Sequence, residues 1–104
     1  MILRMWKAHS TVLKMNEYIQ HATTKVFPGL NDIEGFQGAY LLKREIDGQI
    51  EFVVLTLWES MTAVQRFAGS EPDKAVVEPE AQATLTSFEK SVTHFEVVAS
   101  PANR

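Results

Sequence analysis

The feature that most constrains the fold is the run of residues 50–58, which is rich in β-branched and aromatic side chains and contains neither glycine nor proline. Successive side chains of a strand alternate between its two faces, so Val53, Leu55 and Leu57 share one face. The other face is also largely apolar, with Phe52, Val54, Thr56 and Trp58. We therefore predict that this strand is the most buried one and that a layer of structure covers each of its faces.

A helix is predicted directly after this strand. Ser60 can cap its first turn, and Gly69 supplies a residue that tolerates the left-handed conformation at a helix end. Apolar residues recur at helical spacing between these two points: Met61, Val64, Phe67 and Ala68. Trp58 therefore lies where strand meets helix, and a large aromatic side chain there either forms the wall of a pocket or closes the end of a core.

The chain before this unit predicts two further strands and a helix. Residues 2–8 form a strand in which Arg4 and Trp6 share one face. The helix that follows starts near residue 10 and runs to about residue 26 on an apolar stripe of Val12, Met15, Ile19, Ala22 and Val26. The triplet 27–29 (Phe-Pro-Gly) predicts its end. Residues 36–45 form the second strand, and the Asp-Gly pair at 47–48 predicts a tight hairpin to the third.

The chain after Gly69 is predicted to contain a short helix, a second helical piece and a last strand. Residues 70–73 (Ser-Glu-Pro-Asp) are typical of a helix start, and Pro79 breaks that helix. Ala81, Leu85 and Phe88 then share a helical face. Residues 92–99 form the last strand, so residues 1–99 make one domain and residues 100–104 a flexible tail.

This order of elements predicts the ferredoxin-like split βαβ fold, an α+β domain with a four-stranded antiparallel sheet and helices on one face. The opposite face of the third strand would then be open to water, although Val53, Leu55 and Leu57 make it apolar. A second copy of the same sheet is the simplest cover, because two-fold pairing is the commonest symmetric assembly. We therefore expect a homodimer in which the two sheets form a dimeric α/β barrel.

Composition excludes several classes of function. The net charge of −3 and the scattered basic residues do not favour nucleic acid as a partner. No apolar run approaches the ~20 residues of a membrane span, so no membrane partner is expected. The absence of cysteine removes disulfides, thiolate nucleophiles and iron–sulfur ligation. These features predict a cytoplasmic protein.

Six segments of the chain together carry a family resemblance: FPG at 27–29, GFQGAYLL at 35–42, EFVVLTLWES at 51–60, FAG at 67–69, AVVEPEA at 75–81 and HFEV at 94–97. With these segments the chain resembles the antibiotic biosynthesis monooxygenase family of the dimeric α+β barrel superfamily. The family includes cofactor-independent oxygenases of polycyclic phenols, quinol monooxygenases and haem-degrading monooxygenases. The haem-degrading branch has an asparagine on the first strand, a tryptophan ending the third and an iron-binding histidine further on. Trp58 matches that tryptophan. The position of the asparagine falls near Trp6 in this chain, and residues 69–77 contain no histidine, so the other two residues are missing.

Trp58 and His94 are the candidate catalytic residues. Trp58 either stacks on a planar substrate and helps to stabilise a substrate radical, or is a core aromatic side chain. His94, on the last predicted strand, is suited to taking a proton from a phenol, as a cofactor-free oxygenase requires; otherwise it is a hydrogen-bonded histidine at a sheet edge.

Trp6, Tyr18, Tyr40 and Phe67 are candidates for lining a substrate cavity with Trp58 between sheet and helices, although the same side chains could fill that space completely. His9 is expected to be structural or solvated and His21 to be exposed. The histidines show no metal-ligand spacing, so neither a metal nor a cofactor is predicted. The resemblance then implies a cofactor-independent monooxygenase that acts with dioxygen on a small planar aromatic or quinol-type substrate. A non-catalytic ligand-binding or stress-related dimer and a haem-binding protein are the alternatives.

Overall fold

The computed structural model describes residues 1–101, so part of the predicted tail, 102–104, lies outside that range. Its strands are β1 (Ile2–Ser10), β2 (Phe36–Ile46), β3 (Gln49–Trp58), β4 (Ser87–Phe88) and β5 (Thr93–Glu96). Its helices are α1 (Met15–His21), α2 (Phe27–Leu30), α3 (Met61–Ala68) and α4 (Pro79–Gln82), with a π-helical segment (Ala22–Val26) joining α1 to α2. No helix in this range is both long and apolar enough to cross a membrane.

The strands form one antiparallel sheet in the order β2-β3-β1, and the edge beyond β1 is shared by β4 and β5. The helices cover one face of this sheet, which confirms the predicted ferredoxin-like α+β fold. We call that face the inner face and the opposite one the outer face. Trp6 and Val54 are cross-strand partners on the inner face, and Met5 and Leu55 are partners on the outer face.

The edge beyond β1 is interrupted by a bulge. Phe88 pairs with Ala8 and Thr93 with Met5, so four residues, 89–92, lie opposite two residues of β1. The bulge pairs instead with the loop after α3, because the N–H of Ala75 donates to the carbonyl of Lys90 at 2.9 Å. Backbone hydrogen bonds thereby attach the loop to the sheet edge, although it contains no helix or strand.

Two clusters of buried side chains fill the space between the inner face and the helices. One contains Tyr18, Ala22, Ile50, Phe52 and Ala81. The other contains Leu30, Trp58, Ala63 and Val64 and lies where β3 runs into α3. The run 50–58 therefore supplies the two largest fully buried side chains, Trp58 and Phe52, in agreement with its predicted burial.

Local sequence signals are confirmed at two turns. The hydroxyl oxygen of Ser60 accepts the N–H of Ala63 at 3.2 Å and caps α3, and Gly69 ends that helix with φ at +80°. Asp47 and Gly48 both have positive φ, as the tight hairpin turn between β2 and β3 requires.

Four predictions about these elements are wrong. The first helix does not end at residues 27–29, because the chain widens into a π-helical segment and Pro28 then lies in the first turn of α2, where a missing N–H costs little. Residues 70–77 form no helix, and Phe88 lies on β4 rather than on a helix. The last strand covers Thr93–Glu96 and is shorter than the predicted 92–99.

Within residues 1–101, no other part of the chain forms a layer over the outer face. Its cross-strand pairs include Leu3 with Leu57, Met5 with Leu55, and Leu42 with Val53. Tyr40, Leu42 and Phe95 are 60%, 45% and 48% exposed there. A contiguous apolar face of this kind is typical of an interaction surface.

Candidate functional site

A cavity of about 90 Å³ lies between the inner face and the helices. Side chains of β1 and β3 form its floor, and its walls come from α1, the π-helical segment, α2, α3 and the loop before α4. Most of the lining is apolar, but four polar side chains that are at least nine-tenths buried interrupt it: Arg4, Tyr18, His21 and Thr56. Buried polar groups inside a mostly apolar cavity are typical of a small-molecule site.

Trp6 and Tyr18 form an aromatic wall. Their ring centroids lie 6.3 Å apart, and Tyr18 also packs against Phe52 at 4.8 Å. Trp6 is fixed because its indole N–H donates to the carbonyl of Glu89 at 2.7 Å, within the edge bulge. Burial raises the pKa of Tyr18 to about 12, so its hydroxyl stays protonated near neutral pH and is able to donate a hydrogen bond.

Arg4 supplies a buried positive charge and is 5% exposed. Its guanidinium donates to the backbone carbonyls of Pro72 and Lys74 and lies 5.6 Å from the ring centroid of Phe67. Burial lowers the pKa of Arg4, and the charge of Asp73 opposes that effect. Within residues 1–101, no carboxylate oxygen lies within 4.0 Å of the guanidinium. The cavity therefore has a cation whose hydrogen-bond partners are neutral.

His94 lies behind Arg4, between the guanidinium and Asp73. Its Nε2 is 2.9 Å from Nη1 of Arg4, and its Nδ1 is 3.2 Å from Oδ1 of Asp73. Because a guanidinium only donates, Nε2 must accept, and the ring proton is on Nδ1, which donates to Asp73. Burial and the charge of Arg4 lower the pKa of His94, which agrees with a neutral ring. His94 is not part of the cavity lining and reaches it only through Arg4.

His21 is the second buried polar group of the wall, and it is 9% exposed. Its Nε2 is buried without a hydrogen-bond partner among the described protein atoms. The nearest carboxylate oxygens are those of Glu78, 4.0 Å from Nε2, and Glu80, 3.8 Å from Nδ1, both beyond hydrogen-bond distance. The π-helical segment begins at the next residue.

Trp58 lies one layer behind the cavity and is fully buried. Its indole N–H donates to the hydroxyl of Thr56 at 2.8 Å, and its ring stacks on Phe67 with the centroids 5.7 Å apart. Phe36 meets the same indole edge-on at 5.3 Å. Trp58 thus orients Thr56 and Phe67, which do line the cavity.

The matching family model identifies the class of protein to which this site belongs. The model is described as antibiotic biosynthesis monooxygenase, and it matches residues 14–79, which is well over half of the 104 residues. The chain belongs to the antibiotic biosynthesis monooxygenase family. This confirms the resemblance seen in the sequence. A comparison with curated proteins gives no match.

Solved structures of antibiotic biosynthesis monooxygenase type share the fold. A protein of this type from Bacillus cereus is 18% identical, with a TM-score of 0.69 and coverage of 98% of this chain and 97% of that chain. The haem degrader MhuD from Mycobacterium tuberculosis, solved with two haems in its active site, is 22% identical, with a TM-score of 0.62 and coverage of 98% and 100%. SnoaB, a cofactor-independent oxygenase from Streptomyces nogalater, is 16% identical, with a TM-score of 0.56 and coverage of 95% and 92%. At these identities the likeness shows the fold alone.

The site of this family member gathers only some of the residues that the sequence singles out. Trp6, Tyr18 and Phe67 line the cavity, whereas Trp58 and His94 lie one layer behind it. The expectation that Tyr40 lines the cavity is corrected by the register of β2, which pairs Tyr40 with Leu55 and so places it on the outer face.

Arg4, His21 and Thr56 line the cavity but are not among the residues that the sequence predicts for the site. Arg4 shares a strand face with Trp6, so a charged residue on an otherwise buried face was the available signal. His21 was expected to be exposed, and that expectation is wrong. The buried side of α1 is centred on Tyr18, His21 and Ala22, whose spacing of three and four residues is also that of one helical face.

Proposed function

We propose that this family member oxygenates a small planar phenol or quinol without a bound cofactor and works as a homodimer. The observation that carries this proposal is the cavity itself, in which aromatic walls from Trp6, Tyr18 and Phe67 surround the buried cation Arg4. Aromatic walls favour a flat ring, and a buried cation favours an oxyanion over a neutral ligand. A cytoplasmic location stays a prediction from the composition.

In the proposed reaction the substrate loses its phenolic proton, and the electron-rich phenolate ring reduces dioxygen directly. A ring carbon forms a C–O bond with one oxygen atom and loses its hydrogen, the O–O bond breaks, and the second oxygen atom leaves as water. The substrate supplies all four electrons and ends as a quinone-type product. Arg4 stabilises the phenolate oxygen, since a charge-assisted hydrogen bond is strongest in a site that excludes water. Trp6 and Phe67 hold the ring flat and dry. Trp58 and His94 act as positioning residues, Trp58 through Thr56 and Phe67 and His94 through the guanidinium.

Binding of a ring requires the cavity to expand. Its volume of about 90 Å³ is below the roughly 300 Å³ at which small-molecule pockets begin. The loop 70–78 is the part of the lining without regular structure, and it holds Arg4 through the carbonyls of Pro72 and Lys74. Outward movement of this loop would enlarge the cavity and free guanidinium donors at the same time. A ligand oxyanion would then replace the loop carbonyls.

The homodimer is proposed from the outer face. Leu3, Leu55, Leu57 and Phe95 are apolar there, and at ~25 cal/mol per Å² their burial against another sheet is strongly favourable. A second copy fits because both partners then bury the same apolar face, as a two-fold interface does. The polar pair Arg44 and Glu51, joined at 2.7 Å on this face, would lie near its rim beside the hairpin.

Haem does not fit these residues as the structure stands. The position at which the haem-degrading branch has its asparagine falls near Trp6 in this chain, and residues 69–77 contain no histidine. No step of the proposed reaction therefore involves haem.

Oxygen consumption tests the proposal. Planar phenols and dihydroxynaphthalenes should be oxidised in metal-free buffer, and ¹⁸O from ¹⁸O₂ should appear in the product. Arg4→Met should slow this by about 10²-fold or more, the usual scale for losing one group that stabilises an oxyanion, whereas Arg44→Met, at an exposed arginine, should have little effect. Tryptophan quenching by these ligands without ¹⁸O incorporation would show a binding protein instead of an enzyme.

A further inference from the structure

Among the polar atoms of the cavity lining within residues 1–101, Nε2 of His21 is distinctive because it is completely enclosed and has no hydrogen-bond partner. Arg4 and Thr56 both have protein partners, Arg4 the loop carbonyls and Thr56 the indole of Trp58. Nε2 of His21 has none within residues 1–101, although the side chain is more than nine-tenths buried. An unpaired buried nitrogen destabilises a fold, so its presence in a cavity wall points to a ligand.

The π-helical segment is a second and independent observation at the same place. It begins directly after His21, and its residues Ala22 and Val26 line the cavity. Such segments are rare and are frequently found at functional sites. Here the widened turn lies where α1 meets the cavity, so the distortion and the unpaired nitrogen belong to one local feature.

The chemistry of His21 defines the group that it would bind. A neutral imidazole accepts at one nitrogen and donates at the other, so an accepting Nε2 requires a ligand that donates. Carboxylate oxygens lie 3.8 Å from Nδ1 and 4.0 Å from Nε2, in Glu80 and Glu78. A ring that took up a proton would face these two carboxylates. A ligand hydroxyl able to give up its proton is therefore the matching group.

We propose that His21 accepts the proton of an acidic hydroxyl on the ligand, while Arg4 stabilises the oxyanion that remains. The O–H bond of the ligand breaks, an N–H bond forms at Nε2, and the products are an oxyanion beside the guanidinium and an imidazolium beside two carboxylates. This inference rests on the proposed function and names the base of that reaction. His94 is less suitable, because its Nε2 already accepts from Arg4 and it does not line the cavity.

A coloured phenol tests the assignment without relying on turnover. The probe is 4-nitrophenol, whose absorbance distinguishes phenol from phenolate, and nitrobenzene is the matched ligand without a hydroxyl. The wild-type protein should bind 4-nitrophenol as phenolate at a pH where the free probe is mainly neutral. His21→Phe should weaken binding of 4-nitrophenol about tenfold or more and leave nitrobenzene unchanged. His9→Gln, at a half-exposed histidine on the outer face, is the control and should change neither.

Unfolding in urea provides a readout independent of any ligand. His21→Phe should keep or raise the urea midpoint, because it replaces an unpaired polar group by an apolar one. If that variant does not fold, His21→Gln should still bind the probe but only as the neutral phenol. The inference is overturned if the wild type does not bind 4-nitrophenol, or if a folded His21→Phe variant binds phenolate as tightly as the wild type does.

The two proposals fail in different ways. Phenolate binding that depends on His21 without any ¹⁸O incorporation would retain the inference and remove the oxygenase. Oxygenation that continues at the wild-type rate in His21→Phe would retain the oxygenase and remove His21 as its base.

Discussion

Gly35 is the position at which one added carbon atom should be most harmful. Its φ is +92°, a conformation that side-chain-bearing residues rarely adopt. A Cβ atom placed there would also lie only 2.5 Å from Cβ of Ala63, which is fully buried on α3. The carbonyl of Gly35 accepts the N–H of Glu59 at 2.8 Å, so the backbone is held at this point. Gly35→Ala therefore combines a backbone cost with a packing cost.

The two costs are similar in size. The left-handed conformation costs a residue with a Cβ about 1–2 kcal/mol. The contact of 2.5 Å is well below the roughly 3.5–4.0 Å preferred by two carbon atoms, and overpacking of a core typically costs about 1–3 kcal/mol. Gly35→Ala should thus lower the free energy of unfolding by about 2–5 kcal/mol, a large part of the ~5–15 kcal/mol of an ordinary domain.

Gly48→Ala separates the two costs, because Gly48 has φ at +77° but nothing within 4 Å of the added carbon. Gly48→Ala should lower the free energy of unfolding by the backbone cost alone, about 1–2 kcal/mol. Adding Ala63→Gly to the Gly35→Ala variant should relieve the clash and restore part of the lost free energy of unfolding. Urea unfolding followed by tryptophan fluorescence, at one protein concentration, measures all of these changes. If Gly35→Ala and Gly48→Ala lower the free energy of unfolding by amounts within about 0.5 kcal/mol of each other, Ala63 does not constrain Gly35 and the packing argument is refuted.

Three other variants test assembly and pH dependence. Leu55→Glu should convert the proposed dimer to monomers, as measured by light scattering, whereas Leu13→Glu, at a residue 92% exposed, should not. An unchanged mass of the Leu55→Glu variant would exclude the outer face as the interface. His94→Gln should remove the part of the loss of stability in acid that begins below pH ~6.5. Burial and the charge of Arg4 lower the pKa of His94, so just below that pH only the unfolded chain takes up the proton. The same slope of unfolding free energy against pH in both proteins would contradict this prediction. The free energy of unfolding of the wild type should fall by about 3 kcal/mol as pH rises from ~10 to about 12, since the raised pKa keeps Tyr18 neutral only in the folded protein. Tyr18→Phe should remove this fall, and an equal fall in both proteins would contradict the prediction.

The sequence predicts the fold best where local chemistry and tertiary packing agree. The hairpin at Asp47 and Gly48 and the helix capped by Ser60 both follow from residues a few positions apart. The predicted helix at 70–77 fails because the backbone of that segment pairs with a bulge further along the chain. For example, the N–H of Val92 donates to the carbonyl of Asp73 at 2.8 Å. Local propensity contains no information about such a partner.

The site follows the same division. Trp6, Tyr18 and Phe67 are recognisable because large aromatic residues on predicted inner faces must pack somewhere. Arg4 and His21 are polar, and polarity alone favours exposure, so only the structure shows that both are buried beside one cavity. Functional sites are where local rules of this kind are expected to fail.

Side chains of β3 alternate between the two faces of the sheet, and this alternation separates the proposed dimer interface from the proposed ligand site. Leu55 lies on the outer face, where the dimer is proposed, while its neighbour Thr56 lines the cavity on the inner face. A shift of one residue in the pairing of β3 would exchange these faces, placing the polar site in the interface and the apolar residues against the helices. The strong packing of Phe52 and Trp58 on the inner face fixes that register. Core residues that touch neither ligand nor partner therefore determine where both can bind.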